Sequence, residues 1–365
     1  MSDVSRVNGN KDSARGSVAP PGLTPVTEIA VERGAVSGLA ISADGALMMV
    51  THYGDDSFSV IDANSGAVVQ TVVDVDEPFA IAISDTSGRA YISSASAAYD
   101  SVLAFDIAAN RVLETYPLAY SISDLTVSPN GRCVYAGRTG ADGADVAILD
   151  TASGAEHALS IAGTGTVTER LLLSPDGRRL YIAVNGVSAA ELVVVDTRRN
   201  RVLSRVEIGS AIRDIALSPD GATAYVGSCG PDFGTVLDVI DVRDAQKCAI
   251  TDTLKIGDAA GMLSGLAVSR DGSRVYLVGD AGVTVLATAT HDVVGSIETG
   301  AQPSCAVESP AGNRLYIADY AGTVAVLAVD AAGTPATAPA SDDAPTTPHP
   351  WAAFADLLAL EPTPA

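Results

Sequence analysis

The sequence predicts an all-β fold, a seven-bladed β-propeller of four-stranded antiparallel blades. Three observations carry that prediction: a short turn motif recurs seven times, each copy sits in the same order of apolar runs, and the last copy lacks a run that the head of the chain supplies. The motif is plainest as LSPDG, which stands at 173–177 and returns at 217–221. ISADG (41–45), ISDTSG (83–88), VSPNG (127–131), VSRDG (268–272) and ESPAG (308–312) are its variants. The closing glycines fall at 45, 88, 131, 177, 221, 272 and 312, at intervals of 43, 43, 46, 44, 51 and 40 residues. Pro presets φ and Gly accepts positive φ, so the spelling is that of a tight turn between two strands.

Within each copy an apolar run precedes the turn, as in DIALS or GLAVS, and forms strand a. The run after it forms strand b and carries Tyr at 91, 135, 181, 225, 276 and 316, with Met49 in the first copy. A third run, strand c, ends in Asp in five copies: Asp62, Asp106, Asp150, Asp196 and Asp241. A fourth run, such as RVLSRVEIG (201–209), leads into the next copy. The runs are short, rich in Val, Ile and Leu, and bounded by Gly, Pro, Asn and Asp, which marks strands. A residue that recurs in most copies serves the blade. The terminal Asp of strand c reads as a turn former whose carboxylate accepts backbone N–H groups two or three residues on, and the Tyr of strand b reads as packing between blades.

The seventh copy reaches its third strand, TVAVLAVD (323–330), and then passes into a segment rich in Ala, Pro and Thr. Before the first copy lies TPVTEIAVERG (24–34), a strand without a copy of its own. Pairing residues 24–31 onto the last blade closes the ring and covers a bare sheet edge. The expected organisation is a disordered arm over 1–22, a propeller over 23–330, a linker over 331–349 and a short amphipathic helical tail over 350–361. In that tail Trp351, Phe354, Leu357 and Leu358 lie on one helical stripe. A helix so short must dock to persist, either on its own ring or on a partner protein.

The Tyr-led second strands YIAVN (181–185), YVGS (225–228), YLVGD (276–280) and YIADY (316–320), together with the PDG turns and VID endings, resemble the YVTN family of seven-bladed propellers. The likeness covers residues 24–330 and extends to propellers of actinobacteria and mycobacteria without an assigned activity. It implies the fold. It does not imply one activity, because such propellers include lactonase-like enzymes, lyases, electron-transfer subunits and proteins without a known reaction.

Composition narrows the partners. The 365 residues hold 22 basic and 44 acidic side chains, a formal charge of −22. Such a surface repels nucleic acid and anionic lipid, and favours cations or a basic protein. No apolar run approaches the roughly 20 residues of a membrane helix, and the polar N-terminal stretch has no signal-peptide core. The chain is expected to be a cytoplasmic monomer. Four widely spaced cysteines (133, 229, 248, 305) include no CxxC, which argues against a disulfide framework, zinc or haem.

Propeller connectivity places the b–c and d–a connections on one face, around the mouth of the central channel. At that face strand a begins with small or apolar pairs, except in blades three to five, which bring Asp124, Glu169, Arg170, Arg213 and Asp214 towards the axis. Two readings follow: an inter-blade salt-bridge cluster, or a polar ligand such as a carboxylate or phosphate held by Arg170 and Arg213. The b–c loops add Asp55, Asp56, Asp100, Asp142, Asp145, Asp232, Asp280 and Asp319, acids that could hold Ca²⁺ or simply stay solvated. His52 ends strand b of blade one at the register that Asp319 occupies in blade seven, next to Tyr53 and Tyr320. Such a His–Asp pair could do acid–base work, while a solvent-facing His is the plainer reading. His157, His291 and His349 are spread through the chain and make no three-histidine metal site. No nucleophile elbow, phosphate-cradling loop or Ser–His–Asp order is present. The sequence therefore favours a non-catalytic binding or scaffold ring without cofactor or metal, contacting a protein or small polar ligand at the channel mouth and through the tail. The alternative is a lactonase-like hydrolase or lyase using the channel mouth of blades three to five.

Overall fold

The structure, a computed structural model, describes residues 20–84, 86–119, 121–187, 189–230, 234–257, 261–280 and 282–330. The tail residues Trp351, Phe354, Leu357 and Leu358, the loop acid Asp232 and nearly all of the N-terminal arm lie outside that set. Among the described residues the chain forms 28 strands in seven antiparallel sheets of four, with one short 3₁₀ turn at Tyr53–Asp55. No helix among them is long and apolar enough to cross a membrane.

Blade four shows how each copy of the motif becomes a sheet. Its strands are Val167–Leu173, Arg179–Asn185, Ala190–Asp196 and Arg201–Ile208, paired in that order. At the a–b turn the Ser174 hydroxyl donates to Asp176, and Asp176 and Ser174 in turn accept the N–H groups of Arg178 and Arg179. Gly177 closes the turn at φ +67°, a conformation that a side chain makes costly. Space at the same site also requires glycine: a Cβ on Gly177 would lie 2.6 Å from Cδ of Pro129 in the previous blade. The turns thus lean on one another around the ring. The Asp ending strand c acts as read from the sequence, since Asp196 accepts the N–H groups of Arg198 and Arg199.

Strands b and c are buried on both faces, and strand d alternates towards solvent on its outer side. Double burial is why strands b and c read as unbroken apolar runs. The core is divided into clusters that each span two neighbouring blades. Tyr181 of blade four packs with Ile215, Val226 and Ile240 of blade five, and the Tyr side chains of strand b in blades two to seven are all buried.

The ring closes as expected, one residue earlier than the sequence pattern suggested. Leu23–Ala30 pairs antiparallel with Thr323–Val329 as the fourth strand of blade seven, from Leu23 opposite Val329 to Ala30 opposite Thr323. The register shifts once, between Pro25 and Thr27, so the proline that cannot donate sits at the irregularity. Ile29 of this strand and Val31 and Val36, which follow it, join Met48 and Val50 of blade one and Tyr316 and Val324 of blade seven in a single buried cluster. Arg314 Nη1 adds a bond of 2.9 Å to the Ala63 carbonyl across the same junction.

Because Ile29 belongs to the cluster that joins the two ends, Ile29→Ala is expected to destabilise the whole ring by about 2–5 kcal/mol in chemical unfolding. The loss should appear in one cooperative transition, not as fraying of the first strand alone.

Candidate functional site

Seven copies of strand a meet at the axis and enclose a cavity of about 200 Å³, lined by Gly38, Ala80, Asp124, Arg170, Asp214 and Gly265 among others, with Cys305 of blade seven. Three of the predicted channel residues are therefore brought together. Arg170 Nε lies 3.4 Å from Asp214 Oδ1. Asp124 Oδ2 accepts the N–H of Leu171 in blade four at 2.8 Å, and Asp214 Oδ2 that of Leu266 in blade six at 2.6 Å. Their other oxygens accept from Leu125 and Ile215, at 2.9 and 2.8 Å. Each carboxylate thus ties its own blade to the next, with the guanidinium of blade four between them.

Glu169 and Arg213 do not join this group, contrary to the sequence reading. The cause is a register shift in strand a, between Thr168 and Arg170 in blade four and between Ile212 and Asp214 in blade five. The extra residue of such a bulge is left out of the ladder and re-aimed. In blades three and six Ser123 and Ser264 fill it and bond the carbonyls of Gly137 and Val278. In blades four and five Glu169 and Arg213 fill it. Glu169 accepts from Asn185 Nδ2 at 3.3 Å, and Arg213 is exposed beside Cys229 and Glu169. Arg170 and Arg213 therefore do not converge on one ligand.

Electrostatics follow burial. Desolvation pushes Asp124 up to about 6, against the pull of Arg170, and moves Asp214 and Glu169 upward too. The Cys305 thiol is pushed up to about 11 by burial, which keeps it protonated and unreactive at neutral pH. The arrangement is the inter-blade salt-bridge cluster that the sequence allowed.

The His52–Asp319 pair is also corrected. Both residues do end strand b at equivalent positions, but no hydrogen bond joins them. His52 is fully buried, not solvent-facing. Its Nε2 lies 3.1 Å from Ser59 Oγ, which continues to Thr71, and burial pushes the imidazole below its ordinary value. Asp319 turns into its own loop and accepts the N–H groups of Ala321 and Thr323 at 2.9 Å and the Thr323 hydroxyl. Of the other histidines, His291 Nδ1 meets Asp252 of the neighbouring blade at 2.9 Å.

The acids predicted in b–c loops are mostly structural as well. Asp56 and Asp280 accept the N–H groups of Glu77 and Met262 in d–a connections. Asp100 and Asp145 are not loop residues: Asp100 opens strand c of blade two and accepts the N–H of Ile122 in strand a of blade three, and Asp145 lies in strand c of blade three and holds the buried Arg138 at 2.7 and 2.9 Å. Among the described residues no three His, Cys, Asp or Glu side chains come together as metal ligands do.

What the sequence did not reveal is an aromatic rim. Among the described residues the exposed aromatic rings are Tyr53, Phe79, Tyr99 and Tyr320. Three stand in b–c loops and Phe79 in a d–a connection, so all four share the channel-mouth face. Tyr53 and Phe79 meet edge to face at 6.4 Å, Arg170 lies 6.0 Å from the centre of the Phe79 ring, and the Tyr53 hydroxyl donates to Glu77 at 2.9 Å. Phe79 is a wall of the axial cavity and also of a second one of about 260 Å³, lined by Tyr53, Glu77, Asp100 and Ile122. Tyr53 and Tyr320 were visible beside His52 and Asp319. Their exposure was not, because the Tyr residues of strand b, which the sequence displays most plainly, are all core residues.

A protein of Mycobacterium tuberculosis (strain ATCC 25618 / H37Rv), the seven-bladed beta-propeller protein Rv1057, is 48% identical over 335 residues, which cover 83% of this chain and 84% of that protein. The chain belongs to this family of seven-bladed β-propeller proteins. No model of a protein family matches it. Among solved structures, hydrazine synthase of Kuenenia stuttgartiensis superposes with a TM-score of 0.72 at 20% identity, covering 88% of this chain and all of the matched chain. At that identity the likeness speaks for the fold alone.

In this propeller the channel carboxyl has a testable signature. Folded Asp124 takes up its proton near pH 6, whereas the unfolded residue does so near its ordinary 3.8. Its contribution to stability therefore falls as pH rises between those values, by up to about 3 kcal/mol. Asp124→Asn keeps an oxygen for the Leu171 N–H and removes this descent. In urea unfolding the variant should gain on the parent protein steadily from pH 4 to 7.

Proposed function

We propose that this propeller is a non-catalytic binding ring that takes a basic protein segment on its channel-mouth face. The observation that carries the reading is the rim of four exposed aromatic rings, Tyr53, Phe79, Tyr99 and Tyr320, set among carboxylates of the same face. Aromatic faces and carboxylates together attract Lys and Arg side chains, whose stems pack on rings while their charges are neutralised. The net charge of −22 adds attraction at long range. The channel triad supports the same reading from the other side, since Asp124 and Asp214 are already engaged by backbone N–H groups of neighbouring blades. In this reading the protein works as a cytoplasmic monomer, kin to the YVTN propellers through its Tyr-led second strands, and the stripe of Trp351, Phe354, Leu357 and Leu358 offers a further partner contact.

One observation favours the hydrolase or lyase alternative: a carboxyl raised to about 6 beside an arginine, as at Asp124, suits general acid–base work near neutral pH. Against it stand the two N–H groups that Asp124 already accepts.

Two measurements separate the readings. A fluorescently labelled Lys/Arg-rich peptide should bind the full-length protein, and Tyr53→Ala with Phe79→Ala should weaken that binding by about tenfold. Lactone substrates, with and without EDTA, should be hydrolysed no faster than in the blank. Turnover that Asp124→Asn abolishes, together with no peptide binding, would replace the binding ring by the enzyme.

A further inference from the structure

The opposite face, formed by the a–b and c–d turns, carries a feature that the net charge conceals. Between blades four and five lies an open cavity of about 470 Å³ lined by Arg178, Arg179, Arg198, Arg199, Arg201 and Arg243. The carboxylates in its lining are Asp196 and Asp244. Six of the chain's 22 basic side chains thus face two of its 44 acidic ones, and everywhere else 16 basic residues stand against 42 acidic.

The repeat serves as a control. Equivalent grooves lie between blades seven and one, where the lining holds a single arginine, Arg314, and between blades one and two, where it holds none. Arg314 opens strand b of blade seven and donates to the Ala63 carbonyl after strand c of blade one. Arg179 holds the equivalent place in blade four and donates to the carbonyls of Val242 and Arg243 in blade five, at 2.5 and 3.0 Å. One arginine in the cavity is therefore explained by blade docking. Arg199 and Arg243 pair with Asp196 and Asp241 yet keep 69% and 74% of their side chains exposed, and Arg178 lies 3.6 Å from Asp176. For Arg198 and Arg201 no side-chain hydrogen bond or ion pair is found among the described residues. Counting Asp176 and Asp241 as well, six guanidinium groups face four carboxylates.

We propose that this cavity binds a compact, multiply charged phosphate anion, such as an oligophosphate or a phosphate ester bearing more than one charge. Guanidinium forks match phosphate oxygens two at a time, and their weak hydration lowers the cost of stripping water from the site. Arginines converge from two walls, the c–d turn of blade four and that of blade five, while Leu203 and Ala245 contribute apolar lining. Such a concave site gathers several donors on one small ligand. A long polyanion fits less well, because beyond the cavity it meets the acidic remainder of the surface.

Isothermal titration calorimetry of the full-length protein with inorganic tripolyphosphate, pyrophosphate and orthophosphate tests the proposal. One-to-one binding that tightens with ligand charge is expected. Arg198→Ala with Arg201→Ala should weaken tripolyphosphate binding by tenfold or more, and the Lys substitutions at both positions should restore only part of it, since the charge returns without the fork. Both residues are exposed, so an unchanged unfolding midpoint should accompany the loss. Tyr53→Ala with Phe79→Ala should leave anion binding intact. No saturable binding at millimolar tripolyphosphate overturns the proposal, as does equal binding by the double alanine variant. A preference for duplex DNA over tripolyphosphate, growing with duplex length, overturns it in favour of a polyanion surface.

Discussion

The structure depends on apolar contact between neighbouring blades. No blade holds a core of its own: each buried cluster joins one sheet to the next, as Phe58 and Val60 of blade one join Phe105 of blade two, and Tyr276 of blade six joins Leu315 and Ile317 of blade seven. A sheet with two apolar faces is stable only when both are covered, so every blade needs a neighbour on each side. A row of blades would leave two such faces bare, and only a closed ring leaves none. The head strand Leu23–Ala30 meets this requirement by hydrogen bonding, because it supplies the outer strand of the seventh sheet, whose other three strands come from the far end of the ring.

Closure also creates the channel and its chemistry. Bringing seven strands to one axis places their backbone N–H groups in a space of about 200 Å³ with little room for water. Strand a is the inner edge of each sheet, so it turns N–H groups without a ladder partner towards the axis, and Asp124 and Asp214 satisfy two of them across blade boundaries. Burying two carboxylates in such a space is unfavourable unless a cation compensates, and Arg170 stands between them for that reason. The polar residues of the axis are thus a consequence of how the ring closes. That is why they resemble a site in sequence and behave as a seam in three dimensions.

Fold and site were legible to different degrees, for physical reasons. Repetition exposed the fold: five of the turns, from Ser42–Asp44 to Ser269–Asp271, carry the same hydrogen bond from Ser to the residue two places on, and the same bond demands the same spelling. The fourth strand was legible from its absence, since a bare edge has to be covered. The site was less so. Alternation along a strand predicts which way a side chain points only while the ladder is regular, and a bulge in each of blades four and five keeps Glu169 and Arg213 out of the group around Arg170. The loop acids misled in another way. A carboxylate that accepts a neighbour's N–H, as Asp100 does from Ile122, is spelled no differently from one that waits for a ligand. His52 was taken for a surface residue because it ends a strand, yet Ser59 and Thr71 of the adjoining strands enclose it.

What remains after the repeat is subtracted is unevenly spread, and the distribution is informative. Aromatic rings depart from the pattern in blades one, two and seven, on the channel-mouth face. Arginines depart from it in blades four and five, on the other face. Arg179 apart, which docks blade four on blade five, the contacts between blades rely on the buried Tyr, Val and Leu side chains that most copies share. Arg198 and Arg201 bring positive charges together without neutralising partners among the described residues, an arrangement that folding alone disfavours. Tyr53, Tyr99 and Tyr320 leave ring surface in water, which folding also disfavours. A frame whose stability comes from repeated residues tolerates such local costs, because each is small beside the interfaces that close the ring. The two faces of one rigid axle can therefore carry opposite chemistries, an aromatic and acidic rim at one end and an arginine-lined recess at the other.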